Sequence, residues 1–298
     1  MDGQQLVDQT RETLGGGTVE VVNRLEVAYT PGDLSITLQY PPDGLARGVP
    51  LCVGLNTMMV WGANSATREV EVEAGWAGSP NVAAAVSAVV RVRPTFFTHR
   101  IFEAINDVLA ELSSPLSGVY GVGTIDIPYE RTVDCYDLTD AEGLQSIASV
   151  QYGDPDDTTS RWATLSGTTD YELRTTAPTE QIPSGRELRI HGPLGWGSVL
   201  RVTYRSQLQA LDGLTSDVSM TGLPETAYDL PVLGAAARLA IPGEHRRNLL
   251  VAQPDTRRAS EVPPGAVAAS ARLMQQRYEQ RVHQEAARLI AAHPYRVA

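Results

Sequence analysis

The sequence predicts an α+β chain: a helical bundle formed from N-terminal, central and C-terminal helices, with two inserted antiparallel β modules, a small barrel and a sandwich. Three observations predict it. Apolar residues recur every three or four positions in four separated segments, the helical period, and every second position in the two blocks between them, the strand period. Turn-forming clusters punctuate those blocks, in a chain with 26 Gly and 19 Pro. At 298 residues and 42 % hydrophobic content the chain can bury a sizeable core, but it has only three Phe, so Val, Leu, Ile and Ala must fill it.

Residues 3–14 read as a short amphipathic helix with Leu6, Val7 and Leu14 near one face, stopped by Gly15-Gly16-Gly17. Such a short helix is marginal alone and must pack on something. From 18 to 93 the period becomes two: Val19/Val21, Leu34/Ile36/Leu38, Leu51/Val53/Leu55, Val70/Val72 and Val90/Val92. Thr30-Pro31-Gly32-Asp33, Pro41-Pro42-Asp43-Gly44 and Gly62-Ala63-Asn64-Ser65 supply turns, giving five or six short strands and a surface loop over 76–88.

Residues 95–113 return to the helical period, with Phe97, Ile101, Ile105, Val108/Leu109 and Leu112 on one stripe, Thr95 or Thr98 as cap and Pro115 as terminator. Seven strand candidates follow at 119–127, 135–138, 146–152, 161–165, 171–175, 187–191 and 199–205. The last two read as a hairpin about the turn at 192–197. Residues 225–241 form a small apolar helix in which Pro231 suits the first turn, Ala235-Ala236-Ala237 permits close helix approach and Gly243 closes the element. Residues 264–291 form a longer helix, of roughly 40 Å at 1.5 Å per residue, with Val267, Ala271, Met274, Tyr278, Val282, Ala286 and Leu289 on one face. That length suggests a strut or an inter-subunit contact. The parts are therefore 1–17, 94–116 and 222–298 for the bundle, 18–93 for the small barrel-like module and 117–221 for the sandwich.

The net charge of −11 argues against a general nucleic-acid binder. Every one of the 24 basic residues is Arg. Ten of them, against five acids, fall in 238–298, so this segment carries +5 and residues 1–237 carry −16. A basic end and an acidic body suit head-to-tail association; the alternative is a basic helix facing solvent. No hydrophobic leader opens the chain and no run of about 18 apolar residues crosses a membrane. The two cysteines, Cys52 and Cys135, form no disulfide framework; free buried thiols are expected, with one bridge as the alternative.

Motifs that carry chemistry are sparse. His99, His191, His245, His283 and His293 lack metal-ligand spacing, and His283 with Glu279 reads as a surface pair. No nucleophile elbow, P-loop or dinucleotide fingerprint is present. Asp154/Asp156/Asp157 reads as a solvated turn rather than a calcium loop. Asp134/Asp137 and Asp126/Glu130 resemble a glycosidase pair in composition only. Trp61, Trp76, Trp162 and Trp196 are weighed as a sugar platform against ordinary packing. No catalytic, cofactor-binding or metal-binding residue is expected, and no enzyme activity.

The C-terminal stretch is the most distinctive. GLPETAYDLPVLGAAARLA (222–240), a basic spacer ending in RRASEVPPG (257–265) and ARLMQQRYEQRVHQEAARLIAAHP (271–294) resemble the head-to-tail connector (adaptor or neck) proteins of tailed bacteriophages infecting actinobacteria. RPTFFTHRIFEAINDVLAEL (93–112) looks like that family's central helix and ELRIHGPLGWGSVLRVTYR (187–205) like its closing hairpin; the module at 18–93 is similar to an inserted β-domain of some members. The resemblance implies a virion structural protein, assembled in the host bacterial cytoplasm. It implies a homo-oligomeric ring, typically twelvefold, between the portal protein and a downstream neck or tail protein, with double-stranded DNA passing non-specifically through an acidic channel. The C-terminal region would dock on the portal, making Arg246, Arg247, Arg257 and Arg258 candidates for portal contact. Arg238, Arg272, Arg277, Tyr278 and Arg281 complete the candidate portal or subunit interface. The alternatives are a tail-completion or terminator protein, and a tail-tip carbohydrate-binding module.

Overall fold

A computed structural model describes residues 1–15, 20–42, 44–114, 116–155, 162–167, 169–194, 198–251 and 266–293, with the backbone alone for 241–251 and 266–268. Among the described residues the chain is α+β but mostly sheet: four helices and thirteen strands in three antiparallel sheets. It divides into two compact units, one of residues 1–108, 211–218 and 229–279, the other of 109–210, 219–228 and 280–298.

In the first unit, helix α1 (Gly3–Gly15) opens with a reciprocal cap: Asp2 Oδ1 accepts from Gln5 N at 2.8 Å and Gln5 Oε1 accepts from Asp2 N at 3.0 Å. Strands β1 (Val21–Arg24), β2 (Ser35–Thr37), β3 (Pro50–Val53), β4 (Asn56–Asn64), β5 (Glu69–Ala74) and β6 (Val89–Val92) form one sheet in the order β1-β6-β3-β4-β5-β2. The sheet curls into a half-barrel whose edges meet: Glu26 N donates to Thr37 O, Gln39 N to Arg24 O, and Leu25 pairs with Leu38. Alternation fills the inside. Leu25, Ile36, Leu38, Leu51, Val53, Met58, Val60, Val70, Val72, Val90 and Val92 form one core. A bulge between Val60 and Gly62 in β4 displaces the register there and leaves Trp61, which follows the inward Val60 and faces outward, without a cross-strand partner.

In the second unit, β7 (Gly121–Pro128), β9 (Leu144–Gly153), β10 (Ala163–Thr164) and β13 (Val199–Ser206) form a sheet in the order β10-β9-β13-β7. Strands β8 (Cys135–Asp137), β11 (Tyr171–Arg174) and β12 (Glu187–Ile190) form another, in the order β11-β12-β8. The two sheets share a core that includes Tyr136, Leu188 and Ile190 from one and Val150, Leu200, Val202 and Tyr204 from the other. The hairpin expected over 187–205 is therefore not formed. Its two strands lie in different sheets, because inward alternation is satisfied equally by pairing or by facing across a core.

The helices α2 (Thr98–Leu112), α3 (Asp229–Val251) and α4 (Ala266–Ala292) complete the chain, with α3 continuing past Pro242 and Gly243. The expected helical bundle is overturned. The stripe of α2 is shared out, Ile101, Ile105 and Val108 to the first unit and Leu109 and Leu112 to the second; that of α4 likewise gives Ala271 and Tyr278 to one and Glu285 and Leu289 to the other. An amphipathic stripe establishes that a helix has a partner, not that the partner is another helix. Local helix contacts persist in the first unit, where α1 packs on α3 and Ala235, Ala236 and Ala237 are fully buried.

Candidate protein interaction surface

Among the described residues the predicted interface residues lie on α3 and α4, and the structure sorts those with described side chains by exposure. Arg272 and Arg277 point outward from α4 and, among the described residues, neither has an anionic partner. Leu273 beside them is 57 % exposed. Tyr278 is buried, its ring against Gly234 of α3, so it packs its own unit. Arg238 reaches Asp107 of α2 at 3.5 Å. The side chains of Arg246 and Arg247 lie outside the described part of α3, and Arg257 and Arg258 lie outside the described residues.

Arg281 belongs to the second unit, where it is held in a charged node around Glu285. That carboxylate is 2 % exposed and accepts from Thr226 Oγ1 at 2.8 Å, Arg288 Nη2 at 2.7 Å and Arg281 Nη1 at 3.3 Å. Arg281 also donates to the Thr226 carbonyl. Burial alone would raise the Glu285 pKa, but the bonds from Arg288, Thr226 and Arg281 outweigh it and hold the group below its usual range. Arg281 is thus spent on anchoring the end of α4, while Arg272 and Arg277 remain available.

A second surface was missed by the sequence reading. A groove of about 760 Å³ opens on the half-barrel of the first unit, lined by Tyr29, Asp33, Leu34, Trp61, Glu69, Glu71 and Glu73 among others. Its origin is local. In β5 the run Glu-Val-Glu-Val-Glu sends Val70 and Val72 inward and Glu69, Glu71 and Glu73 outward in one row. Trp61, 46 % exposed, donates through Nε1 to Glu73 Oε2 at 3.0 Å, and Ser35 Oγ donates to Glu69 Oε1 at 2.8 Å. Glu71 lies over Gly62, where a side chain would meet Oε2 at 2.9 Å. The available signal was the outward glutamate row of 69–73; the sequence reading used only its valines.

Several of the groups weighed for chemistry are held in structural contacts. His99 is buried, its Nδ1 2.9 Å from Thr57 Oγ1, and Cys52 Sγ lies 3.5 Å from that hydroxyl. Asp126 binds Arg201 through both oxygens at 2.8 Å, and that guanidinium lies 4.1 Å over the Trp162 ring. Asp137 accepts from Thr139 and Ser184. His283 and Glu279 are exposed one turn apart on α4. Both cysteines are free; Cys52 is buried as expected, whereas Cys135 is half-buried. Of the tryptophans, Trp61 and Trp76 belong to the first unit and Trp162 to the second, while Trp196 and the pair Asp156/Asp157 lie outside the described residues. Among the described residues no group of three or more His, Cys, Asp or Glu is placed to hold a metal ion. No helix among them is long and apolar enough to cross a membrane.

No protein-family model matches the chain, and no curated protein sequence matches it significantly.

Proposed function

We propose that the chain is a structural assembly subunit, a head-to-tail connector that forms a homo-oligomeric ring between the portal and the tail of a tailed-phage particle and lets double-stranded DNA pass. The observation that carries this reading is the outward strip Arg272-Leu273-Arg277 on α4. Its opposite face is filled from within the chain, so the strip is left to meet another protein. Arg is enriched at protein interfaces, and an exposed leucine between two of them suits such a contact. The charge division supports the reading: an acidic body of −16 repels DNA from its walls, and a C-terminal segment of +5 is suited to an acidic neighbour. The resemblance of 222–240 and 271–294 to connector proteins points the same way.

The test is binding to the purified portal, followed by sedimentation, for the full chain and for a variant with Arg246→Glu and Arg247→Glu. The full chain should bind and the variant should bind at least about tenfold more weakly, as loss of two charge-assisted contacts implies. A full chain that does not bind portal contradicts the reading.

One observation favours a second reading, a carbohydrate-binding module: Trp61 stands exposed in the acidic groove. Against it, Arg47 lies 4.7 Å over the indole, covering one of the faces on which a sugar ring would stack. A shift in tryptophan fluorescence on adding cell-wall polysaccharide, absent in Trp61→Ala, would support that reading.

A further inference from the structure

We infer that the acidic groove of the half-barrel is a docking site for arginine side chains of a second copy of this chain, received from the outward strip Arg272-Leu273-Arg277 of α4. The inference rests on the assembly reading above and names the surfaces that would make it.

Several carboxylates of this unit are already paired. Asp8 and Glu20 are held by Arg11 and Arg91, Glu26 by Arg68, Glu103 by Arg100 and Asp107 by Arg238. Asp33, Glu69, Glu71 and Glu73 line the groove and have no cationic partner among the described residues; Asp2, Glu12 and Asp212 also lack one but lie away from the groove. Four uncompensated carboxylates around one concavity repel one another and favour any cation that enters. The groove is not merely acidic. Leu34 is 80 % exposed on its wall, and the indole of Trp61 stands beside it. At the rim the molecule already displays the recognition it would use. The Arg47 guanidinium stacks on Trp61, whose Nε1 is fixed by Glu73. The occupant must therefore bring both an apolar residue and guanidinium groups.

The α4 strip brings both. At 100° per residue, Leu273 and Gln276 lie between Arg272 and Arg277, which are about 140° apart around the helix and about 7.5 Å apart along its axis, so the two guanidiniums flank the leucine from either side. Glu71 and Glu73, two residues apart in β5, are about 6.6 Å apart along the strand. Leucine set between two guanidiniums thus meets leucine and indole set among carboxylates. Arg is suited to this role because its planar fork binds a carboxylate through two hydrogen bonds. Every basic side chain on the protein is Arg.

The test is sedimentation of the full chain, with portal added if the chain alone is monomeric. It compares the wild type with Glu71→Arg/Glu73→Arg, with Arg272→Glu/Arg277→Glu, and with all four changes together. All four positions are exposed, so circular dichroism should report an unchanged fold. The wild type should assemble, each double variant should assemble about tenfold more weakly or worse, and the fourfold variant should recover, because the ion pairs are re-formed with reversed sign. Wild-type assembly unaffected by either double change overturns the contact while leaving the connector reading standing. Loss with the groove variant but not with the α4 variant overturns the second copy as occupant and assigns the groove to another protein. A wild type that stays monomeric with and without portal overturns both.

Discussion

Gly234 of α3 lies beneath Tyr278 of α4: a side-chain carbon at Gly234 would stand 2.9 Å from Tyr278 Cε2 and 2.8 Å from both methyls of Val108. Three helices approach at this point because one of them carries no side chain there.

Gly234→Ala should therefore destabilise the first unit. Alanine gains about 1 kcal/mol of helix propensity over glycine, but overpacking a filled site costs about 1–3 kcal/mol. A clash with two branched methyls and a buried ring places the cost in the upper half of that range. Thermal unfolding would show a lowered midpoint; a raised one would mean the three side chains move aside freely.

Glu285 anchors the end of α4, and Glu285→Gln should cost about 1.5–3 kcal/mol, the range for hydrogen bonds to charged groups. Arg281 and Arg288 both reach solvent, which keeps the loss from being larger. The folded pKa lies below the ordinary 4.5, so the unfolded chain takes up the proton first. The stabilisation is complete above about pH 4.5 and is lost as pH falls through the lower folded value. Urea titrations from pH 6 to pH 3 should show this slope in the wild type and a shallower one in Glu285→Gln.

His99 gives a second acid-sensitive element. Burial pushes its pKa below 6.5, and Arg100 adds to this, while Glu103 and the Ala77 carbonyl oppose it. Stability from the neutral ring is complete above pH 6.5 and declines as pH drops through the folded value. His99→Gln should flatten the dependence of the melting temperature between pH 7 and pH 5. An equal slope in both proteins would place the titration elsewhere.

Cys135 should alkylate slowly in the folded chain, because its bond to Glu187, together with burial, raises the thiol pKa. Mass spectrometry after iodoacetamide at pH 7.5 should find little label at Cys135 until denaturant is added. Glu187→Gln should speed its labelling.

Local structure was legible where one period had one meaning. The valines at 70 and 72 mark β5, and the stripe from Ile101 to Leu112 marks α2. What could not be read was partnership. Leu188 and Leu200 alternate as a hairpin would, yet face each other from separate sheets. The stripe of α4 looked like a bundle face, yet its buried residues are divided between two units. Tyr278 looked available on a basic helix and is instead packed on Gly234. The groove needed three things that sequence gives separately: outward glutamates in β5, the outward Trp61 of β4, and the placement of Leu34 on the same wall. That Arg272 and Arg277 face outward was legible, because they lie off the apolar stripe of α4.

The most direct test of the connector reading is negative-stain imaging of the full chain mixed with its purified portal. The reading predicts closed rings of this chain stacked coaxially on the portal, with a central opening. A dispersed population of single particles, with portals left bare, would contradict it.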